Sequence, residues 1–141
     1  MIGKNNPLNI RTSAAFKWLG QTGATKGFAD FESIDMCRRA GAYLLMRSYR
    51  RAHAKSVGGV ICRWAPKCEN DTASYLHFVC KQTGLKAETV LCFDSDFASI
   101  LAAMEIFEQG ILLAKREEYY LNAKDSYLEI IAKNKLLRYE G

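Results

Sequence analysis

Apolar residues recur at helical spacing along most of the chain. The first run follows Ser33, a residue type suited to capping a helix, and its apolar stripe extends to about residue 53. Further runs at the same spacing predict helices over 57–64, 71–83, 96–109 and 115–138. The predicted fold class is therefore mainly α, with the last helix amphipathic.

The first 27 residues lack this periodicity and are rich in Asn, Gly, Ser and Thr. The turn-forming stretch Asn5-Asn6-Pro7 precedes residues 8–11, which can form a very short strand. Residues 27–31 alternate enough for a second strand. The sequence thus predicts a small, irregular N-terminal β-hairpin on a mainly α (α+β) domain.

A polar loop marked by a tryptophan joins the second predicted helix to the third. Pro66 disfavours helical backbone at Ala65, so the preceding helix should end near Trp64. Either Asn70 or Asp71 should cap the next helix. Long polar loops are often functional, and the plainer interpretation is a buried Trp followed by a capped helix.

Composition indicates a folded chain with one main domain. Hydrophobic residues make up 49% of the 141 residues and charged residues 25%, which is typical of globular proteins. We expect a domain over 1–114 and a helical tail over 115–141 that packs on the domain or on a partner, including a second copy. The net charge of +5 favours acidic partners: nucleic acid, anionic lipid or a cell-wall polymer.

The sequence predicts neither a metal site nor a cofactor. None of the five cysteines forms a CxxC pair, and the two histidines have no obvious metal partner. We expect free, mostly buried thiols made in a reducing compartment. The N-terminus lacks the apolar segment of a signal peptide, and no run is long enough to span a bilayer. These features predict synthesis in the cytoplasm.

Arginines are frequent in the first predicted helix. They are Arg38, Arg39, Arg47, Arg50 and Arg51. They form either a solvated helix face or a patch that binds an anion. A nucleic-acid-binding module is one hypothesis that such a patch would support, although no base-stacking motif accompanies it.

Glu108 is the carboxylate best suited to chemistry. It lies near the end of the apolar, alanine-rich stretch 102–110, beside Ile and Phe side chains. A carboxyl group shielded by apolar side chains has its charged form disfavoured, which suits a general acid. An exposed glutamate at a helix end is the plainer interpretation. Glu69 and Asp71 are second candidates, with loop solvation and N-capping as their alternatives.

Several motifs taken together resemble a known family. They are Asn5-Asn6-Pro7-Leu8-Asn9-Ile10-Arg11, Trp18-Leu19-Gly20-Gln21, Gly27-Phe28-Ala29-Asp30-Phe31, Arg38-Arg39-Ala40, Arg63-Trp64-Ala65-Pro66, and Glu69-Asn70-Asp71-Thr72 with Tyr75. They resemble a family of small phage and prophage proteins commonly labelled virion or structural proteins. One departure is Leu8, where that family usually has Gly. The resemblance implies a protein made in a bacterial host and incorporated in the virion.

The same order of signals is similar, more distantly, to lysozyme-like glucosaminidases and lytic transglycosylases. In those enzymes the catalytic Glu lies on a helix ahead of an Asn-Asn segment. This chain begins at its Asn-Asn segment, and Glu108-Gln109-Gly110 looks like the missing helix moved to the far end. A circular permutation would explain this order. The resemblance implies a lysozyme-like helical domain.

Two functional hypotheses follow from these resemblances. The first is a peptidoglycan-cleaving muramidase or lytic transglycosylase in which Glu108 is the general acid/base. Its sugar groove would be lined by Asn9, Arg11, Trp64, Glu69, Asn70 and Tyr75. The second is a non-catalytic virion structural or assembly protein that keeps the fold and binds other virion proteins through 115–141.

Overall fold

The computed structural model describes residues 1–66 and 71–134 and confirms the predicted fold class. A two-stranded antiparallel hairpin, β1 and β2, precedes a set of helices. The elements are β1 (Gln21–Thr25), β2 (Phe28–Phe31), α1 (Ile34–Tyr43), α2 (Val57–Trp64), α3 (Thr72–Thr83), α4 (Asp94–Gln109) and α5 (Arg116–Asn134). A π-helical segment, Leu44–Ser48, and a last helical turn, Tyr49–Arg51, extend α1.

Local sequence signals set the ends of the helices. The side chains of Ser33 and Asp71 accept hydrogen bonds from backbone N–H groups in the first turns of α1 and α3, as predicted. Gly84 and Gly110 adopt left-handed backbone conformations directly after α3 and α4. Because α4 ends at Gln109, the chain turns there, and Glu108 is left in the last turn.

The hairpin has a different first strand from the predicted one. β2 pairs with β1, and residues 8–11 contribute only an isolated bridge between Arg11 and Phe28. The two-residue turn explains this pairing, because Lys26 and Gly27 both have positive φ angles of 50° and 84°. Such turns match the twist of paired strands, and Lys26 gave no sequence signal of this conformation.

Buried Asn6 attaches the N-terminal segment to the hairpin. Its amide nitrogen donates to the carbonyl oxygens of Ile10 and Ala29, at 2.9 and 2.8 Å. Its side-chain oxygen accepts from the backbone N–H of Ile10 at 2.9 Å. These bonds fix the path of residues 6–10, which include Asn9.

Helix α4 forms the centre of the core. All ten residues from Phe97 to Ile106 are buried, as expected for a helix surrounded by other elements. Helix α1 lies close to α4 and to the N-terminal segment at Gly41. A Cβ atom added there would clash with the side chain of Leu8 and would lie 3.3 Å from the side chain of Leu101. Helix α5 packs along α4 and α1 and buries Ala123, Tyr127 and Ile131.

A buried carboxylate, Glu105, links three helices. Arg38 of α1 donates two hydrogen bonds to its oxygens, both at 2.9 Å. Tyr119 and Tyr127 of α5 donate from their hydroxyl groups, the first at 2.7 Å. Glu105 is fully buried and the side chain of Arg38 is 13% exposed. The hydroxyl groups of Tyr119 and Tyr127 therefore join α5 to the buried ion pair between α1 and α4.

Two sequence expectations about this region hold only in part. Arg39 is buried and Arg38 is largely covered beside Glu105, so neither belongs to a solvated helix face, whereas Arg50 and Arg51 are exposed. Of the described cysteines only Cys37 is buried, whereas Cys62 and Cys92 are exposed. Helical periodicity placed the arginines on their helix but did not reveal which neighbouring helix covers each face.

The buried phenols predict a loss of stability at alkaline pH. Burial, and then the Glu105 carboxylate, raise the pKa of Tyr127 well above its ordinary value. The unfolded chain releases this proton near pH 10, so stability should fall above that pH by about 1.4 kcal/mol per pH unit for each such phenol. Tyr127→Phe should lower stability at pH 8 and make the alkaline decline less steep.

Denaturant unfolding at pH 8 to about 11.5 measures this effect. Equal stability of the unsubstituted protein across that range would contradict the raised pKa of Tyr127. An unchanged dependence of stability on pH in Tyr127→Phe would contradict it as well.

Within the described part of the chain, no helix has the length and hydrophobicity needed to cross a membrane.

Candidate functional site

A cleft of about 350 Å³ opens between the N-terminal segment, the hairpin and the ends of α1, α2 and α4. This volume lies at the lower end of the range for ligand pockets. Its described lining residues are Asn9, Ile10, Arg11, Trp18, Phe28, Leu44, Tyr49, Trp64, Ala65 and Glu108. The wall is therefore mainly aromatic and aliphatic, with a few polar groups.

Glu108 is half-buried at this cleft and accepts hydrogen bonds from three side chains. Asn9 donates from Nδ2 to Oε1 at 3.0 Å. Trp64 donates from Nε1 to Oε2 at 3.3 Å, and the Tyr75 hydroxyl donates to the same oxygen at 2.8 Å. The carboxyl group is thus held in one orientation by polar donors, and not merely shielded by Ile and Phe as the sequence suggested.

Local structure brings these four residues together from distant positions. Asn9 has a left-handed backbone conformation, with φ of 53°, which Asn tolerates better than most residues. Gln109 donates from its side chain to the Pro7 carbonyl at 2.6 Å, which joins the end of α4 to the N-terminal segment. Helix α2 ends at Trp64, next to the predicted break at Pro66.

Tyr75 supports Glu108 from the protein interior. It is 2% exposed, and its ring centroid lies 4.1 Å from that of Phe107. Burial, and then the neighbouring Glu108 carboxylate, raise the pKa of Tyr75 well above its ordinary value. The hydroxyl therefore keeps its proton at neutral pH and remains a hydrogen-bond donor to Glu108.

The charged groups at the cleft are few. Arg11 is exposed, and its guanidinium carbon lies 4.6 Å from the centroid of the Phe28 ring. Among the described lining residues Arg11 is the one cation and Glu108 the one carboxylate. The cleft can therefore present one positive group and one acid/base group to a ligand.

The structure brings together most of the residues that the sequence singled out. Asn9, Arg11, Trp64 and Glu108 line one cleft, and Tyr75 bonds Glu108 from behind. Glu69 and Asn70 lie outside the described residues. The role of all these residues in a binding or catalytic site stays a prediction.

Sequence reasoning missed several lining residues, chiefly Trp18, Phe28 and Tyr49. The available signal for Trp18 was a tryptophan in an otherwise polar, turn-rich segment. In the structure its side chain is 5% exposed.

Among the described residues, no group of three or more His, Cys, Asp or Glu is arranged to hold a metal ion.

Comparison with known proteins shows that this chain is similar to a phage protein. No protein-family model matches the chain. Over 113 residues the chain is 34% identical to Protein P5 of Pseudoalteromonas phage PM2. The alignment covers 77% of this chain and 70% of the phage protein.

Proposed function

This chain belongs to the family of Protein P5 of Pseudoalteromonas phage PM2, and we propose that it is a virion-associated protein that cleaves peptidoglycan glycan strands. The observation that carries the proposal is the position of Glu108, which shares one cleft with Asn9, Arg11 and Trp64. The protein would be made in the bacterial host and incorporated in the virion. The domain would be lysozyme-like in function, with a muramidase or lytic transglycosylase reaction.

Glu108 would act as the general acid and then as the base. In the first step its proton passes to the glycosidic oxygen as the bond from that oxygen to the anomeric carbon breaks. In the second step its carboxylate accepts the proton of the C6 hydroxyl of the same muramyl residue, whose oxygen bonds to the anomeric carbon. The product is a 1,6-anhydro sugar, and no water is consumed.

The single carboxylate among the described lining residues favours this route. A two-carboxylate glycosidase needs a second acid group across the scissile bond, as nucleophile or as base for a water molecule. The Trp64 contact to Glu108 is the longest of the three, at 3.3 Å, so it would yield first to a glycosidic oxygen. Asn9 and Tyr75 would keep the carboxyl group oriented.

The remaining wall suits a sugar polymer. Aromatic rings at Phe28, Tyr49 and Trp64 offer apolar faces and, for Trp, a polar handle. Arg11 would contact a carboxylate of the muramyl residue or of its peptide. The glycan strand is thus the proposed partner of the cleft.

Digestion of purified peptidoglycan tests this proposal. The protein should release glycan fragments from sacculi, and mass spectrometry should find ends lighter by one water molecule than those made by a hydrolase. Fragments with ordinary reducing ends would contradict the anhydro route and favour a muramidase. Intact sacculi after incubation with folded protein would contradict cleavage altogether.

A non-catalytic structural role is the second candidate, and one observation favours it. Both oxygens of Glu108 already have protein partners, so the residue also links the N-terminal segment to α2 and α3. In this case virion proteins would bind through 115–141, in which Leu121 of α5 is 52% exposed. Absence of cleavage together with loss of virion incorporation on Leu121→Asp would support this alternative.

A further inference from the structure

Arg63 and Tyr49 form a pair of neighbouring hydrogen-bond donors at the cleft. The guanidinium carbon of Arg63 lies 5.6 Å from the centroid of the Tyr49 ring, and Tyr49 lines the cleft. Arg63 is exposed and directly precedes Trp64 in the last turn of α2. The rings of Tyr49 and Trp64 meet edge to face, with centroids 6.5 Å apart. The pair therefore lies one ring away from Glu108, to which Trp64 is bonded.

Neither donor is already used by a described residue. Arg63 makes no ion pair with the described residues, and the sequence has no Asp or Glu between positions 36 and 68. The Tyr49 hydroxyl has no hydrogen-bond partner in the described part of the chain. Its oxygen is not one of the enclosed polar atoms, so a ligand can reach it. A ligand at this end of the cleft would find two donors.

Both groups carry their protons at neutral pH. Burial, opposed in part by Arg63, raises the pKa of Tyr49 to about 12. A guanidinium group is always protonated in proteins. Hydrogen bonds from a cation to a carboxylate are stronger than those between neutral groups, and a carboxylate has two oxygens that can accept from both donors. The chemistry of the pair therefore suits a carboxylate.

We propose that Arg63 and Tyr49 bind a carboxylate of the muramyl unit, either that of its lactyl group or one of its peptide. The inference rests on the proposed function, since it takes the cleft to bind peptidoglycan, and it names the part of the polymer that the cleft selects. Arg11, which lies over the Phe28 ring, would supply a second cation to the strand. Chitin lacks the muramyl carboxylate, so the cleft should bind it more weakly.

Titration calorimetry on the full chain compares three sugars of equal glycan length. The Glu108→Gln protein is used so that the sugars stay intact. Chitotetraose has no carboxylate. The tetrasaccharide of alternating N-acetylglucosamine and N-acetylmuramic acid has free lactyl carboxylates, and the same tetrasaccharide with stem peptides has peptide carboxylates instead. One of the two muramyl sugars should bind about tenfold or more tightly than chitotetraose, the value of one charge-assisted hydrogen bond, and it identifies the carboxylate.

Three substitutions in this protein isolate the two donors. Arg63→Gln should weaken binding of the preferred muramyl sugar about tenfold and leave chitotetraose binding unchanged. Tyr49→Phe keeps the ring beneath Arg63, removes the hydroxyl, and should weaken the same binding about fivefold. Arg51→Gln is the matched control, because Arg51 is exposed in the last helical turn that extends α1 and is not a described lining residue. This control should bind all three sugars unchanged.

Each outcome bears on the carboxylate site separately from catalysis. Equal affinity for all three sugars, no binding of any, or an Arg63→Gln protein that binds the muramyl sugars as tightly as Arg51→Gln does would overturn the site. Cleavage of sacculi by a protein whose muramyl affinity does not depend on Arg63 would leave the proposed reaction standing and remove the site. A muramyl preference that depends on Arg63 and Tyr49, in a protein that leaves sacculi intact, would support the site and refute the reaction.

Discussion

Glu108→Gln should reduce the rate of peptidoglycan cleavage by about 10²- to 10⁴-fold, the usual contribution of a general acid/base. Glutamine has nearly the same shape but cannot donate an acidic proton or accept one. Tyr75 and Trp64 can still donate to its amide oxygen. Asn9 can turn its amide so that its oxygen accepts from the new amide nitrogen. The fold should therefore persist while cleavage is lost.

Glu117→Gln is the matched control for this substitution. Glu117 is exposed at the start of α5, so its substitution makes the same chemical change at a position away from the cleft. The rate of fragment release and the denaturation midpoint should be measured for both variants. A Glu108→Gln protein that digests sacculi at the unsubstituted rate would exclude Glu108 as the acid/base.

Glu105→Gln should lower the free energy of unfolding by about 3–5 kcal/mol, the usual cost of removing one partner of a buried ion pair. The change leaves the Arg38 guanidinium largely buried without its counter-ion. It also replaces one of the oxygens that accept from Tyr119 and Tyr127 with a donor. Denaturant unfolding followed by circular dichroism measures the loss.

Two further variants test whether charge burial is the cause. Glu129→Gln breaks an exposed ion pair with Lys133 in α5 and should change stability by less than about 1 kcal/mol. Combining Glu105→Leu with Arg38→Met removes both buried charges and should recover part of the loss. A Glu105→Gln protein as stable as Glu129→Gln would show that the buried pair is not a main support of the fold.

Helix positions and caps were predictable because they depend on neighbours in sequence. Ser33 and Asp71 begin helices and Gly84 and Gly110 end them for reasons of local hydrogen bonding and backbone conformation. The strand that pairs with β2 was not predictable from the sequence. The pairing depends on a positive φ angle at Lys26, and lysine is not a residue type that indicates this backbone conformation.

The other features that the sequence did not predict depend on contacts between residues far apart in the chain. Arg38 and Glu105 are 67 positions apart, and helical spacing alone suggested a solvated or anion-binding role for the arginine. Asn9 and Glu108 are 99 positions apart. Resemblance to the lysozyme-like enzymes suggested that these two meet, whereas the orientation of Trp18 depends on packing that no local pattern encodes.

The position of a bound oligosaccharide tests most directly whether the cleft is a glycan site. A crystal structure of Glu108→Gln with chitotetraose should place a glycosidic oxygen roughly 2.6–3.2 Å from the side chain at position 108. A sugar bound elsewhere on the protein, or a cleft that stays unoccupied at saturating sugar, would contradict the assignment.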